Sequence, residues 1–329
     1  MSELDIPKNT LIHEELNYDR DILLTEAEDL KNGLNTKQAL AFNEISRSVE
    51  QNDGRLFFVY GSGGIGKTYL WRTLIASLRS QGKIVLAVAS SGIASLLLPG
   101  GRTPHSRFKI PLKLNETSCC NLFKKTDLAE LLCKVYLIIW DEAPMMHMNA
   151  LEAVQRALAD LMMEENNDKK LLFGKKTLVL EGDFRQILPV IEEGTREDIV
   201  NASISKSKFW KYFIVFELTE NMRLSTGDTS QEKKDEMEEF AKWILDVGNG
   251  KAPAISLDEF EHKDWIQIPS DLLIDCKENH IHIIVETMYP DFLKRMLEKE
   301  YLAERSILAP TNECVHKINS HVLSSVPGK

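Results

Sequence analysis

The sequence carries a complete phosphate-binding loop at residues 61–68, Gly-Ser-Gly-Gly-Ile-Gly-Lys-Thr, which matches the pattern G-x-x-x-x-G-K-[ST]. The apolar run over residues 56–60 predicts a buried strand before the loop, and the spacing of leucine and isoleucine over residues 68–81 predicts a helix after it. When a strand, a glycine-rich loop and a helix follow one another, the backbone N–H groups of the loop surround a polyphosphate and the helix N-terminus faces the anion. The loop therefore predicts binding of ATP or GTP. The alternative is a glycine-rich turn with an exposed lysine.

The residues of the loop have different expected roles. Lys67 is expected to contact the β- and γ-phosphates as a point charge, and the Thr68 hydroxyl is expected to bind Mg²⁺. The other nucleotide-binding residues of the loop are Gly61, Ser62, Gly63, Gly64, Ile65 and Gly66. A nucleotide and Mg²⁺ are thus the expected cofactors.

An acidic pair follows the apolar run over residues 135–140. Asp141 is expected to hold Mg²⁺ through a water, and Glu142 is expected to orient and polarise the attacking water. An apolar strand that ends in two adjacent carboxylates is typical of the second half of a nucleotide-hydrolysing site. The alternative is that both carboxylates are simply solvated.

Polar residues also follow two later predicted strands. Gly182-Asp183 follows residues 177–181, and Gln186 beyond it is a candidate sensor of the γ-phosphate. This motif alone is weak evidence for a site. However, ligands gather at the carboxyl ends of parallel strands, and the phosphate loop and the acidic pair are also predicted to lie there. Arg223 follows the strand predicted over residues 213–218 and is a candidate to stabilise charge on the transferred phosphoryl group. The spacing alone is equally consistent with an arginine that lies on the surface without a catalytic role.

Two stretches indicate contacts with a base or a partner. Gln38, near the start of a helix predicted over residues 34–50, is a candidate to hydrogen-bond adenine. The alternative is that it completes a capping box with Asn35. Residues 101–109 carry three basic side chains, a histidine and a phenylalanine with no acid. This composition is typical of a loop that grips a sugar–phosphate backbone and stacks on a base, although a solvated basic loop is the alternative.

Charge and composition limit the class of protein. The net charge is −10, but residues 1–30 hold nine acids and two bases and residues 228–261 hold ten acids and four bases, so the remainder is mildly basic. A nucleic-acid partner is therefore compatible with the sequence. No apolar run approaches a membrane span, the N-terminus lacks a secretory signal, and the five cysteines lack metal spacing. We expect an intracellular protein with reduced thiols and no membrane contact; no oligomeric state is predicted.

Strands and helices alternate along most of the chain. Near-continuous apolar runs at residues 83–90 and 135–140 predict a parallel sheet covered on both faces. Further helices are predicted over residues 92–98, 150–163 and about 231–247, and residues 306–310 and 312–325 predict one more strand and helix.

Taken together, these motifs resemble those of the petite-integration-frequency (PIF-type) DNA helicases of superfamily one, and especially the plant forms that also occur in Helitron transposons. The resemblance covers residues 30–329 and is carried by residues 34–38, 61–68, 89–94, 101–108, 140–142, 182–189, 218–223 and 309–312. It implies an α/β P-loop NTPase with a RecA-like parallel sheet and helices on both faces. It also implies ATP-driven 5′→3′ translocation on single-stranded DNA, unwinding at duplex junctions, roles in DNA repair, recombination and telomere maintenance, and a nuclear location.

The resemblance also implies roles for single residues. Gln38 would read adenine, Gln186 would sense the γ-phosphate, and Arg223 would be one of two arginine fingers. The residues implied to contact DNA are Ser90, Ser91, Arg102, His105, Arg107, Phe108, Thr311 and Asn312.

The sequence departs from the family pattern in three ways. Lys175 and Glu181 stand where glycines are expected, and because both are judged adjacent to the site rather than in it, we expect an effect on rate more than on function. The later Ser-Gln-Gly and Ser-Arg motifs are absent, so we expect a fragment or a shortened gene product.

We therefore expect four segments. They are an acidic tail or lead-in (1–33), a first RecA-like domain (34–225), a connector (226–300) and the start of a second RecA-like domain (301–329). Three functions follow as hypotheses: an ATP-dependent DNA helicase weakened by truncation, a module that binds nucleotide and single-stranded DNA without unwinding, or an unrelated P-loop switch or AAA-type ATPase.

Overall fold

The computed structural model describes residues 9–166, 171–222, 231–255, 265–274 and 278–328. Contacts divide the chain into two units, Met1–Lys251 and Ala252–Lys329. The boundaries of the four segments expected from the sequence stay predictions.

A five-stranded sheet in the order β2-β3-β4-β1-β5 forms the centre of the first unit, and every neighbouring pair is parallel. Its strands are β1 (Leu56–Tyr60), β2 (Ile84–Ala89), β3 (Val135–Asp141), β4 (Thr177–Gly182) and β5 (Phe213–Glu217). The α/β class and the parallel sheet predicted from the sequence are confirmed. Because all five strands run the same way, the residues that follow β1, β3 and β4 meet at one edge of the sheet.

The helices of the first unit are α1 (Thr10–Leu16), α2 (Arg20–Asn32), α3 (Thr36–Gln51), α4 (Lys67–Ser80), α5 (Gly92–Leu96), α6 (Pro104–Phe108), α7 (Asp127–Lys134), α8 (Met148–Asn166), α9 (Arg196–Ala202) and α10 (Gln231–Gly248). Alternate residues of β1 enter two separate apolar cores, as the strand period requires. Phe57 packs with side chains of α3 and α4. Phe58 packs with side chains of α7 and α8 on the other face.

The acidic N-terminal segment differs from the tail or loose lead-in expected from its composition. Its residues 10–32 form α1 and α2, with Ala27 fully buried. The Tyr69 hydroxyl on α4 donates a hydrogen bond to the Leu30 carbonyl at 2.8 Å. The acidic composition predicted a loosely packed segment because most of its residues are polar. In the structure these acids lie mostly on the exposed side of two helices, and few residues contact the core.

The second unit contains a short antiparallel pair, β6 (Ala254–Ile255) and β7 (Trp265–Ile266). Its helices are α11 (His280–Met288), α12 (Phe292–Arg295), α13 (Lys299–Ala303) and α14 (Asn312–Ser325). The helix predicted over residues 312–325 is confirmed, but the strand predicted over residues 306–310 is wrong. The apolar run there has no neighbouring strand to pair with among the described residues, and Leu308 is 90% exposed. No described helix is long and apolar enough to cross a membrane.

Candidate functional site

The phosphate-binding loop joins the end of β1 to α4, which begins at Lys67. Gly66 has a φ of +76°, and a Cβ atom there would lie 2.5 Å from Nε2 of Gln38, so only glycine fits this position. Gly66 caps α4 without any side-chain hydrogen bond to the first turn. The first N–H groups of α4 are therefore left to an anion rather than to a capping side chain.

Gln38 is fully buried behind this loop. Its Oε1 accepts a hydrogen bond from the backbone N–H of Asn35 at 3.0 Å, completing a capping box, while its Nε2 donates to the carbonyls of Ile65 and Gly66 at 3.2 Å each. The capping alternative is therefore the one observed, with the added role of bracing the phosphate loop. An adenine contact by Gln38 stays a prediction.

Replacing Gln38 by alanine is expected to lower the free energy of unfolding by about 2 kcal/mol, because a helix cap and two hydrogen bonds from a buried side chain are lost together. Urea unfolding measures this loss. Gln51→Ala is the matched control, since Gln51 is exposed at the other end of the same helix. Equal losses in the two variants would contradict a bracing role for Gln38.

Lys67 is held by two groups in the structure. Its Nζ donates to the Gly61 carbonyl at 2.7 Å and lies 2.7 Å from Oε1 of Glu181, whose side chain is fully buried. The expectation that Glu181 is only adjacent to the site is therefore wrong. Burial raises the pKa of the Glu181 carboxyl, while the charge of Lys67 opposes the rise. Lys175, the other departure from the family pattern, lies in the turn before β4 with a φ of +59°.

Glu142 stands at the end of β3, directly after Asp141. Its φ of +51° lies in the left-handed region, which costs a non-glycine residue free energy and often marks a functional position. Burial raises the pKa of the Glu142 carboxyl, the charge of Lys67 lowers it, and the charge of Asp183 raises it further. The charges of Lys67 and Asp183 thus both act on the Glu142 carboxyl, in opposite directions. Asp141 itself is half-buried.

Asp183 was part of a predicted motif but was not assigned a role from the sequence. It is 4% exposed, and its Oδ1 accepts hydrogen bonds from Nε of Arg185 at 2.7 Å and from the Arg185 backbone at 3.0 Å. Its position after the glycine that ends β4 is the signal that could have identified it. Gln186 is exposed in the same turn, and its γ-phosphate contact stays a prediction. Arg223 lies outside the described residues.

Residues 104–108 of the basic stretch over residues 101–109 form the short helix α6, with Thr103 as its N-cap, so the stretch is not an open loop throughout. Phe108 is fully buried against Trp140, with ring centroids 5.9 Å apart, and Arg107 is 4% exposed. The prediction that Phe108 and Arg107 contact DNA is wrong for this structure, because neither side chain reaches the surface. The sequence could not separate the buried from the exposed side of so short a helix. Arg102 is exposed and His105 is half-buried, so both are accessible.

The other predicted DNA contacts also have local structural roles. Ser90 Oγ accepts a hydrogen bond from Nε1 of Trp140 at 3.0 Å, and Ser91 caps α5. Thr311 caps α14 in the second unit, and both Thr311 and Asn312 are exposed. Contacts of Ser90, Ser91, Thr311 and Asn312 with DNA stay predictions.

Among the described residues, no group of three or more His, Cys, Asp or Glu side chains could hold a metal ion.

Known helicases are similar to most of this chain. A model of the PIF1-like helicase family matches residues 33–257. The ATP-dependent DNA helicase Pif1 of Campylobacter jejuni is 28% identical over 278 residues, which cover 82% of this chain and 51% of that protein. The chain spans about half the length, or less, of the first curated relatives that it matches.

Two solved structures carry the same fold. One describes DNA unwinding at forked duplex DNA by two coordinating Pif1 helicases; it has a TM-score of 0.51 and 28% identity, covering 66% of this chain and 48% of that one. The other is Bacteroides Pif1 in complex with ADP-AlF4, with a TM-score of 0.50 and 27% identity, covering 67% and 47%. Because the family model covers more than half of the chain and includes the phosphate loop and the carboxylates beside it, this chain belongs to the PIF1-like helicase family.

Proposed function

We propose that this chain supplies the nucleotide-hydrolysing site of an ATP-dependent DNA helicase. The observation that carries the proposal is the junction of β1 with α4, because α4 begins at Lys67 and no side chain caps its N-terminus. The neighbouring strands β3 and β4 end at the same edge of the sheet, directly before Glu142 and Asp183. An uncapped helix N-terminus and a lysine favour a polyphosphate, while the half-buried Glu142 carboxylate nearby can accept a proton from water. Family membership and the relative solved with ADP-AlF4 support ATP as the nucleotide.

The residues present fit a hydrolytic site that uses Mg²⁺. The exposed Thr68 hydroxyl and the half-buried Asp141 carboxylate offer the oxygen ligands that Mg²⁺ prefers, and these two residues would hold it. When bound, Mg²⁺ neutralises phosphate charge. Lys67 would then contact the β- and γ-phosphates, Glu142 would orient the attacking water and take its proton, and Arg223 would stabilise charge on the transferred group.

We further propose single-stranded DNA as the partner, bound near α6. The exposed Arg102 and Lys109, with the accessible His105, support this as a basic surface. The similar structure at forked duplex DNA supports DNA junctions as substrates. The proposal also includes 5′→3′ translocation, roles in repair, recombination and telomere maintenance, likeness to the plant forms and a nuclear location. All of these rest on the family resemblance.

A second candidate is a module that binds nucleotide and DNA without unwinding. The ion pair between Lys67 and Glu181 favours it, because a lysine engaged by a buried carboxylate is less available to stabilise the charge that develops on the γ-phosphate during hydrolysis. Phosphate release with and without single-stranded DNA, beside strand displacement on 5′- and 3′-tailed duplexes, separates the two candidates. DNA-stimulated hydrolysis with displacement of the 5′-tailed duplex supports the helicase. Binding of ATP and DNA without either activity supports the module.

Replacing Lys67 by alanine is expected to remove a charged phosphate contact of about 1.5–3 kcal/mol. Affinity for ATP should then fall by roughly tenfold to a hundredfold. Titration with a fluorescent ATP analogue in the presence of Mg²⁺ measures the loss, and thermal unfolding without nucleotide checks the fold, since Glu181 also loses its partner. Lys211→Ala is the control, because Lys211 is an exposed lysine outside the loop whose ammonium lies 5.1 Å from the centre of the Tyr212 ring. An unchanged titration curve would remove the basis for a nucleotide site.

A further inference from the structure

The ion pair beneath the nucleotide site has no part in the mechanism proposed above. Glu181 lies on β4 opposite Val59 of β1, and alternation along β4 places it on the same face as Val179. Both valines are fully buried in the core that α3 and α4 cover. Glu181 is therefore a carboxylate at the edge of an otherwise apolar face, directly beneath the first turn of the phosphate-binding helix.

The shortest contact of the Glu181 carboxylate is with the Lys67 ammonium. Oε1 lies 2.7 Å from Nζ of Lys67 and, apart from that ion pair, has no hydrogen-bond partner among the described residues. Oε2 accepts a long contact of 3.5 Å from the backbone N–H of Glu142. Glu181 and the Gly61 carbonyl together occupy most of the donor capacity of the Lys67 ammonium. The lysine is thus directed down toward the sheet.

We propose that Glu181 is a positioning residue that acts through Lys67: it competes with the β- and γ-phosphates of the nucleotide for the ammonium group and so sets the affinity of the site for polyphosphates. The inference rests on the proposed nucleotide-binding function. Two anions share one cation, so phosphate can gain the full contact with Lys67 only as the buried ion pair loosens. A buried carboxylate that loses its partner is unfavourable, and this opposes nucleotide binding.

The competition has a signature in nucleotide selectivity. Lys67 is expected to contact the β- and γ-phosphates, which ATP carries and AMP lacks. Removing the charge of Glu181 should therefore strengthen binding of ATP and ADP and leave binding of AMP unchanged. A purely structural role for Glu181 would change all nucleotides together or none.

The test is Glu181→Gln, which keeps the shape of the side chain and removes its charge. Titration with ATP, ADP and AMP in the presence of Mg²⁺ should show affinity for ATP raised by about tenfold or more, with AMP unchanged. The KM for ATP in phosphate release should fall correspondingly. Glu152→Gln is the matched control, because Glu152 is also a buried carboxylate, 3.3 Å from Lys208, and lies on α8 outside the site.

Glu181→Met is the second variant, chosen because its apolar chain suits the valines around it if the glutamine variant does not fold. The inference is overturned if whichever variant folds binds ATP as wild type does or more weakly, or if AMP binding tightens equally. Failure of the wild-type chain to bind Mg-ATP at all would instead overturn the proposed function, so the two failures are distinguishable.

Discussion

Replacing Glu142 by glutamine is expected to lower the rate of ATP hydrolysis by about 10²–10⁴-fold, because the amide cannot accept a proton from the attacking water. Nucleotide binding should persist, since the substitution preserves the shape of the side chain and leaves Lys67 and the loop intact. Phosphate release at saturating Mg-ATP measures the first effect, and titration with a fluorescent ATP analogue measures the second. Glu116→Gln is the control, as Glu116 is an exposed carboxylate.

The pH dependence of the rate provides a second check on Glu142. Burial raises the pKa of its carboxyl. A base with a raised pKa becomes protonated, and therefore inactive, at a higher pH than an ordinary glutamate would. The wild-type rate should fall on acidification through that raised pKa, and the residual rate of the glutamine variant should lack this fall. Hydrolysis at the wild-type rate in the variant would assign the base to another group, such as Asp183.

The position of the nucleotide site followed from sequence because strand order does not affect it. Any parallel arrangement of the strands before Gly61, Asp141 and Asp183 brings their carboxyl ends to one edge, where the residues that follow meet. The apolar runs and the glycine pattern were therefore sufficient to predict the α/β fold and the central side chains of the site. The pairing of β1 between β4 and β5 was not needed for that inference.

The failed predictions concern side chains whose surroundings come from distant parts of the chain. Phe108 and Arg107 belong to a basic stretch, and nothing local indicates that Trp140 buries the first and Glu15 pairs with the second. Glu181 was recognised as unusual, but its contact with Lys67 requires β4 to lie next to β1. In each case the contacts arise from tertiary packing, which the local sequence does not show.

Glu15 shows how far this packing extends. Its Oε2 lies 3.1 Å from Nη2 of Arg79 on α4, and its Oε1 lies 3.2 Å from Nη2 of Arg107 on α6. All three side chains are at most 8% exposed, and the Arg79 guanidinium also lies over the Tyr18 ring at 4.3 Å. One carboxylate of the N-terminal segment therefore joins the phosphate-binding helix to the basic helix α6.

Replacing Glu15 by glutamine is expected to lower the free energy of unfolding by about 3–5 kcal/mol, because two buried guanidinium charges lose their shared counter-ion. Urea unfolding followed by tryptophan fluorescence measures the loss. Glu26→Gln is the matched control: Glu26 on α2 also pairs with an arginine of α4, Arg72 at 2.9 Å, but both side chains are well exposed. An exposed pair contributes about 0–1 kcal/mol, so the control should change little. Similar losses in the two variants would contradict the burial of the Glu15 cluster, whereas a large difference would make the acidic N-terminal segment an integral part of the nucleotide-binding unit.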